Sequence, residues 1–291
     1  MLLSAIIEGL FFGLYFTLVG LGLTLVFGVM KMVNIAHGDF LMLGAYGAFW
    51  FFVLLGLHPL ASAALMLVVL IAVGIPIYYL IVPRLMAARD TEMLSLILFF
   101  GMSQVIEAVV SILFGNTERS IPARIFGVGP IEILGARMPR AWVYSAAVSA
   151  VCVIGVYIYL YRTRLGTLTR AVMSSREEAL ATGIDIHFVS ALAFGIGIAL
   201  AGVAGAFEPF MLGSVTPSLG VGVTITAFAV IVVGTLGNPL GCIFGGLVYG
   251  ISLMLMQTYL SSWANLLPNL LLIFVLLVRP EGLFGRSVRR A

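Results

Sequence analysis

The sequence predicts an all-α polytopic membrane protein, a bundle of about 8–10 transmembrane helices forming one domain over residues 1–291. Three observations carry this. The chain is 62% hydrophobic and only 9% charged, with a mean hydropathy of +1.19, whereas a soluble domain carries about a quarter charged residues. Its apolar runs are long and continuous, unlike the short alternating strands of an outer-membrane barrel. Its charges gather in a few segments between those runs. Disorder, nucleic-acid binding and a soluble core are excluded as main readings. The first apolar run is too long for a signal peptide and lacks a basic start. Cys152 and Cys242 sit in apolar runs and suggest neither a metal motif nor a disulfide framework.

Nine apolar segments are long enough, or nearly so, to cross ~30 Å of hydrocarbon at ~1.5 Å per residue. The first, 3–30, is overlong, so it tilts, breaks near Gly20-Leu21-Gly22, or begins at the interface. Before the second, 40–57, the apolar sequence is interrupted by Asn34-Ile35-Ala36-His37-Gly38-Asp39. Such a polar stretch is tolerated near the membrane where it is buried or lines a cavity, and half-helix ends commonly build transport sites. Asn34 and His37 can hydrogen-bond a polar head group. Periodicity alone favours the simpler alternative, a short cytoplasmic turn. Segments 59–82 and 93–114 follow. In the latter, Glu107 shares a helix face with Gln104 in mid-span and is the best-placed acid for an internal polar network.

Segment 115–140 contains Pro122, Pro130, Pro139 and several glycines. It is expected to lie irregularly along the surface, as a plain connection or as a docking place for a soluble partner. After 141–161 comes the longest polar stretch, 162–188. There Ser174 precedes Glu177, and Ser175 precedes Glu178, each with the spacing of a capping box. Gly183 suits the left-handed residue past a helix end. A helix of roughly two turns is therefore bracketed between Ser175 and Thr182, too short to stand alone and expected to dock on something. The remaining segments are 189–213, 221–236, 242–260 and 265–278. Glu208 precedes Pro209 near the outer end of its run and is expected to reach water, and Glu8 to lie in the interface. The stretch Gly234-Thr235-Leu236-Gly237-Asn238-Pro239-Leu240-Gly241 is a tight turn.

Charge placement sets the orientation. With the N-terminus periplasmic and the C-terminus cytoplasmic, Lys31, Arg84, Arg89, Arg162, Arg164, Arg170, Arg176, Arg279, Arg286, Arg289 and Arg290 face inward, against Arg119, Arg124, Arg137 and Arg140 outside. That asymmetry is the one the positive-inside rule expects. Small residues recur at four-residue spacing in Gly9/Gly13, Gly241/Gly245, Gly246/Gly250 and Gly197-Ala201-Gly205, the pattern that lets membrane helices approach closely.

Catalysis is not expected. There is no His-Glu-x-x-His zinc motif, and Gly101-Met102-Ser103-Gln104 continues with Val105 instead of completing a Gly-x-Ser-x-Gly elbow. Lys31 is the single lysine and stands in no phosphate-binding loop, so any ATP must be bound by another polypeptide.

Several stretches resemble one family in order along nearly the whole chain: Asn34-Ile35-Ala36-His37-Gly38; Arg164-Leu165-Gly166 with Arg170-Ala171 and then Ala179 to Gly183-Ile184; Gly237-Asn238-Pro239-Leu240-Gly241 with Gly245-Gly246; and Arg279-Pro280-Glu281-Gly282-Leu283-Phe284-Gly285. The chain is similar to the permease subunits of bacterial ABC importers for branched-chain amino acids, and closer to the shorter permease of the usual pair. The resemblance implies a multi-pass subunit of the inner membrane with a second, similar permease, two cytoplasmic ATPases that hold ATP and Mg, and a periplasmic binding protein. The chain itself would bind no cofactor and no metal. Ser175, Glu177, Glu178, Ala179 and Gly183 would form the helix that couples to the ATPase. Asn34, His37 and Gly38, with Gln104 and Glu107, would lie on the translocation pathway. Two alternatives remain open: an ABC permease for urea, short amides or another small solute, and a gradient-driven transporter working through Glu107 and Asp39.

Overall fold

The computed structural model describes residues 1–86, 88–279 and 282. Among them are α1 (Leu2–Met30), α2 (His37–Leu55), α3 (Pro59–Met86), α4 (Thr91–Phe114), α5 (Arg140–Arg162), α6 (Arg164–Ser174), α7 (Arg176–Ala181), α8 (Ile186–Gly205), α9 (Glu208–Met211), α10 (Leu219–Gly234), α11 (Pro239–Tyr259) and α12 (Leu267–Val278). Eight helical stretches among the described residues are long and apolar enough to cross a membrane, and α10 is a shorter apolar helix beside them. The protein is an all-α polytopic membrane protein, with the spans close to the nine segments read from sequence.

Burial separates the centre of the bundle from its rim. The most apolar window of α1 is 78% buried and that of α8 83%, against 17% for α4. A helix apolar all round fits either lipid or a protein core; here neighbours on every side decide for α1 and α8. Of the three alternatives for the overlong first run, the break near Gly20-Leu21-Gly22 does not occur. Gly20 packs against Val230 and Cys242, and Gly22 against Gly197, inside one unbroken helix.

Small residues make the tightest seam. A methyl group on Gly9 would come within 2.6 Å of the Ile251 backbone, and one on Gly13 within 2.8 Å of the Leu247 backbone. From the other side, Gly246 meets Thr17 and Gly250 meets Gly9 and Gly13. α1 and α11 thus touch backbone to backbone, which maximises dispersion contact where no hydrophobic driving force acts between helices.

The segment 115–140 is more ordered than expected. It holds a 3-10 turn (Ala123–Phe126) and an antiparallel hairpin of β1 (Ile131–Ile133) and β2 (Ala136–Met138), paired Ile131 to Met138 and Ile133 to Ala136. Leu134 and Gly135 both have positive φ, 50° and 84°, as a two-residue hairpin turn requires. Ala136 and Met138 pack with Ile7 of α1 and Trp142 of α5. Composition alone missed this, because strands of three residues leave almost no alternating pattern. The ends of the spans are also tied together: Arg119 and Val215 exchange backbone hydrogen bonds of 3.0 and 2.8 Å, and Trp142 Nε1 donates to the Phe210 carbonyl at 3.1 Å. Of the C-terminal motif, Arg279 and Gly282 are described; Pro280, Glu281, Leu283, Phe284 and Gly285, with Arg286, Arg289 and Arg290, lie outside the described residues.

Candidate functional site

The polar interruption after α1 is not an exposed turn. Asn34 and His37 are fully buried and Asp39 is 1% exposed. His37 Nε2 lies 2.9 Å from the Val19 carbonyl. Val19 stands eleven residues before the end of α1 at Met30, about 16 Å along the axis at ~1.5 Å per residue. α2 therefore starts deep in the bundle, and residues 31–36 climb back to reach it; six residues extend to at most about 20 Å, which suffices. The sequence pattern could not show this depth, since a turn and a re-entrant stretch have the same length.

The first turns of α2 and α10 meet there. Gly38 N–H donates to Thr224 Oγ1 at 2.9 Å, and Thr224 Oγ1 is itself 2.9 Å from the carbonyls of Ile35 and Gly220. The carboxylate of Asp39 packs on Gly220, so closely that a side chain there would displace it. Asp39 thus lies in the first turn of α2 and beside the first turn of α10, where helix dipoles favour negative charge. Ser103 and Glu107 of α4 are its electrostatic neighbours. We expect Thr224→Val to leave the buried Gly38 N–H without a partner, at a cost of about 1–3 kcal/mol. Thermal melting in detergent checks this: a clear drop for Thr224→Val that Thr224→Ser largely restores, whereas an unchanged melt would show that the hydroxyl is dispensable.

A cavity of about 390 Å³ opens between α1, α10, α11 and α12, with Glu208 of α9 in its wall. Tyr15, Phe16, Tyr249, Thr226 and Gln257 contribute to its lining, which is mostly apolar. Glu208 does not reach water as expected. It is fully buried, accepts a hydrogen bond on Oε2 from the Tyr15 hydroxyl, and its Oε1 has no hydrogen-bond partner. The reason is that α8 ends at Gly205, whose Cα packs against Leu41 and Ala45 of α2, so the chain turns inside the bundle and not at its edge. Tyr15 lies thirteen residues into α1, about 20 Å from its N-terminal end.

The polar segment 162–188 folds as two helices before α8. Thr163 caps α6, accepting from Gly166 N at 2.9 Å; this helix was not anticipated. Ser175 caps α7, accepting from Glu178 N at 3.3 Å, so of the two Ser-x-x-Glu pairs the second is used. Gly183 has φ +81°, and Ile184 N–H returns to the Ala179 carbonyl at 3.1 Å, closing the helix as a left-handed cap does. Ala179 is buried, whereas Glu177 and Glu178 are exposed and Leu180 is 63% exposed. Arg176 anchors the base of α7 against Met86. Burial pushes its guanidinium down from the usual value, and the nearby Tyr78 hydroxyl acts the other way.

The structure brings Asn34, His37, Gly38 and Asp39 together at the α2–α10 junction. Gln104 is exposed on α4, with Glu107 half-buried. None of these lines the cavity, although His37 backs it through Val19.

A family model described as branched-chain amino acid transport system / permease component matches residues 5–276. The chain is 30% identical over 295 residues to the high-affinity branched-chain amino acid transport system permease protein BraD of Pseudomonas aeruginosa, covering 98% of this chain and 96% of that protein. It is 29% identical over 294 residues to the corresponding LivH protein of Escherichia coli K12, with the same coverage of 98% and 96%. It is also 24% identical over 257 residues to the ribose import permease protein RbsC of Escherichia coli K12, covering 86% and 74%. No solved structure matches the chain.

Proposed function

The chain belongs to the family of branched-chain amino acid transport permease components, and from that membership we propose that it forms part of the path by which an ATP-binding-cassette importer moves branched-chain or other hydrophobic amino acids inward. It is a multi-pass permease subunit of the bacterial inner membrane. The observation that carries the reading is the match from residue 5 to residue 276, which runs through every span and through α7.

In this reading the N-terminus is periplasmic and the C-terminus cytoplasmic, which puts α6 and α7 on the cytoplasmic side. α7 is the coupling helix. Ser175 and Gly183 cap it, Ala179 seats it, and Glu177 and Glu178 meet the ATPase. Two ATPase subunits hold ATP and Mg, a second permease completes the path, and a periplasmic binding protein delivers the cargo. Asn34, His37 and Gly38 brace the pathway from behind the cavity wall. Gln104 and Glu107, on the sparsely packed α4, join the path where the second permease covers that helix, because an acid in mid-membrane is costly against lipid. Early α2 and α10 starts suit a transport path, since interrupted helices present polar backbone at membrane depth.

A second reading, an importer permease for a different small solute, is favoured by the similarity to the ribose permease. One experiment separates the readings. The tagged chain is purified in mild detergent with whatever accompanies it, reconstituted, and assayed for labelled leucine uptake with ATP inside the vesicles. Co-purifying ATPases and ATP-dependent leucine uptake are expected. ATP-dependent uptake of another solute in place of leucine favours the second reading. Uptake by the isolated chain without ATP overturns both in favour of a gradient-driven transporter.

A further inference from the structure

We infer that Glu208 and Tyr15 form the subsite that holds the ammonium group of a zwitterionic amino acid within the cavity, an inference that rests on the proposed amino-acid import. Glu208 is wholly buried at the cavity wall, with Tyr15 holding one carboxylate oxygen and the other left without a partner. No lysine, arginine or histidine lines the cavity among the described residues. A carboxylate in such a place is costly unless a cation faces it, and no described residue supplies one. An ammonium group does, donating to the free oxygen in a charge-assisted bond.

The rest of the lining fits the other two parts of the same molecule. Ser218, Leu219 and Gly222 bring the N-terminal turn of the sixteen-residue α10 to the cavity. Ser218 makes no side-chain cap there and Leu219 N–H is taken by the Thr216 carbonyl at 3.2 Å, so the N–H groups after it in that turn receive the carboxylate at the positive end of the helix, whose other side faces Asp39. Gln257 and Asn269 add amide donors. Phe16 and Leu253, with the ring of Tyr249, offer an apolar or aromatic surface to the side chain. A simple amine leaves the end of α10 unused, a fatty acid leaves Glu208 unpaired, and a sugar meets neither charge. A neutral amino acid with an apolar side chain uses all three regions. Tyr15 is a positioning residue that fixes the rotation of the carboxylate.

The test has two arms. In vesicles carrying the whole importer, with leucine-loaded binding protein outside and ATP inside, Glu208→Gln is expected to lower leucine uptake about 10- to 100-fold, the loss of one charged hydrogen bond. Wild-type vesicles that fail to take up leucine overturn the import reading and the subsite with it. Wild-type uptake matched by Glu208→Gln overturns the subsite alone. Should Glu208→Gln fail to assemble, the wild-type complex decides. Dicyclohexylcarbodiimide, a membrane-soluble carboxyl reagent, is reacted with it and labelling of the Glu208 peptide is read by mass spectrometry. Protection by L-leucine, and not by its 2-hydroxy analogue, is expected. Equal protection by both, or by neither, overturns the assignment.

Discussion

Reversing both charges of α7, Glu177→Lys with Glu178→Lys, is expected to reduce ATP-driven uptake by about 100-fold or more while the chain still inserts and its spans still pack. The two carboxylates stand exposed in the first turn, where no hydrogen bond or ion pair among the described residues holds them. Their local role is small: each favours the helix N-terminus by about 0.3–1 kcal/mol, and the Ser175 cap remains. Against a partner the effect is much larger, because like charges juxtaposed across an interface cost several kcal/mol. Measuring uptake together with ATP hydrolysis and ATPase co-purification separates the two scales. Glu177→Gln with Glu178→Gln should fall between wild type and reversal. Normal uptake by the reversed variant would remove α7 from its role in coupling.

Gly250→Leu is expected to cost the most in stability. The added side chain meets the backbone of Gly13 and Gly9, and backbone atoms cannot rotate aside as a side-chain tip can. Overpacking a well-fitted core costs about 1–3 kcal/mol and occasionally more; a whole isobutyl group against two backbones belongs at the upper end or beyond. The fraction of monodisperse chain after mild heating in detergent, followed by size exclusion, reads this directly. Gly155→Leu is the control, since a Cβ added there meets nothing within 4 Å among the described residues. If both variants survive equally, the α1–α11 seam does not hold these helices together.

The sequence made the spans, the small-residue seams and the capped α7 legible for a common reason: each depends on residues close together in the chain. Apolar length predicts a span, four-residue spacing predicts a contact stripe, and Ser175 with Gly183 brackets a helix whatever surrounds it. What escaped depends on neighbours far away in the chain. Glu208 was expected at water because Pro209 follows it near the end of an apolar run, yet the packing of Gly205 on Leu41 and Ala45, far earlier in the chain, turns the chain inside the bundle, and Tyr15, 193 positions earlier, binds the carboxylate there. Asn34 to Gly38 read as an ordinary turn until Thr224 and Val19 fixed its depth. Gln104 and Glu107 share a face in sequence, but which way that face points is set by α2 and by whatever lies beyond α4. α6 was hidden because its polar surface carries no span-like signal, although Thr163 and Gly166 mark its start.

The seam between α1 and α11 also bears on how the chain is made. Gly13 and Gly250 are 237 residues apart, and at about 5–20 residues per second the ribosome needs roughly 10–50 s to pass from one to the other. For that interval α1 waits in the bilayer, its glycine face turned to lipid or to the insertion machinery, while nine further helices emerge between it and α11 with no claim on that stripe. One of the two most buried helices is thus among the first to enter and among the last to find its closest neighbour. Synthesis halted before α11 would strand a central helix with its contact surface bare, open to pairing with the wrong chain.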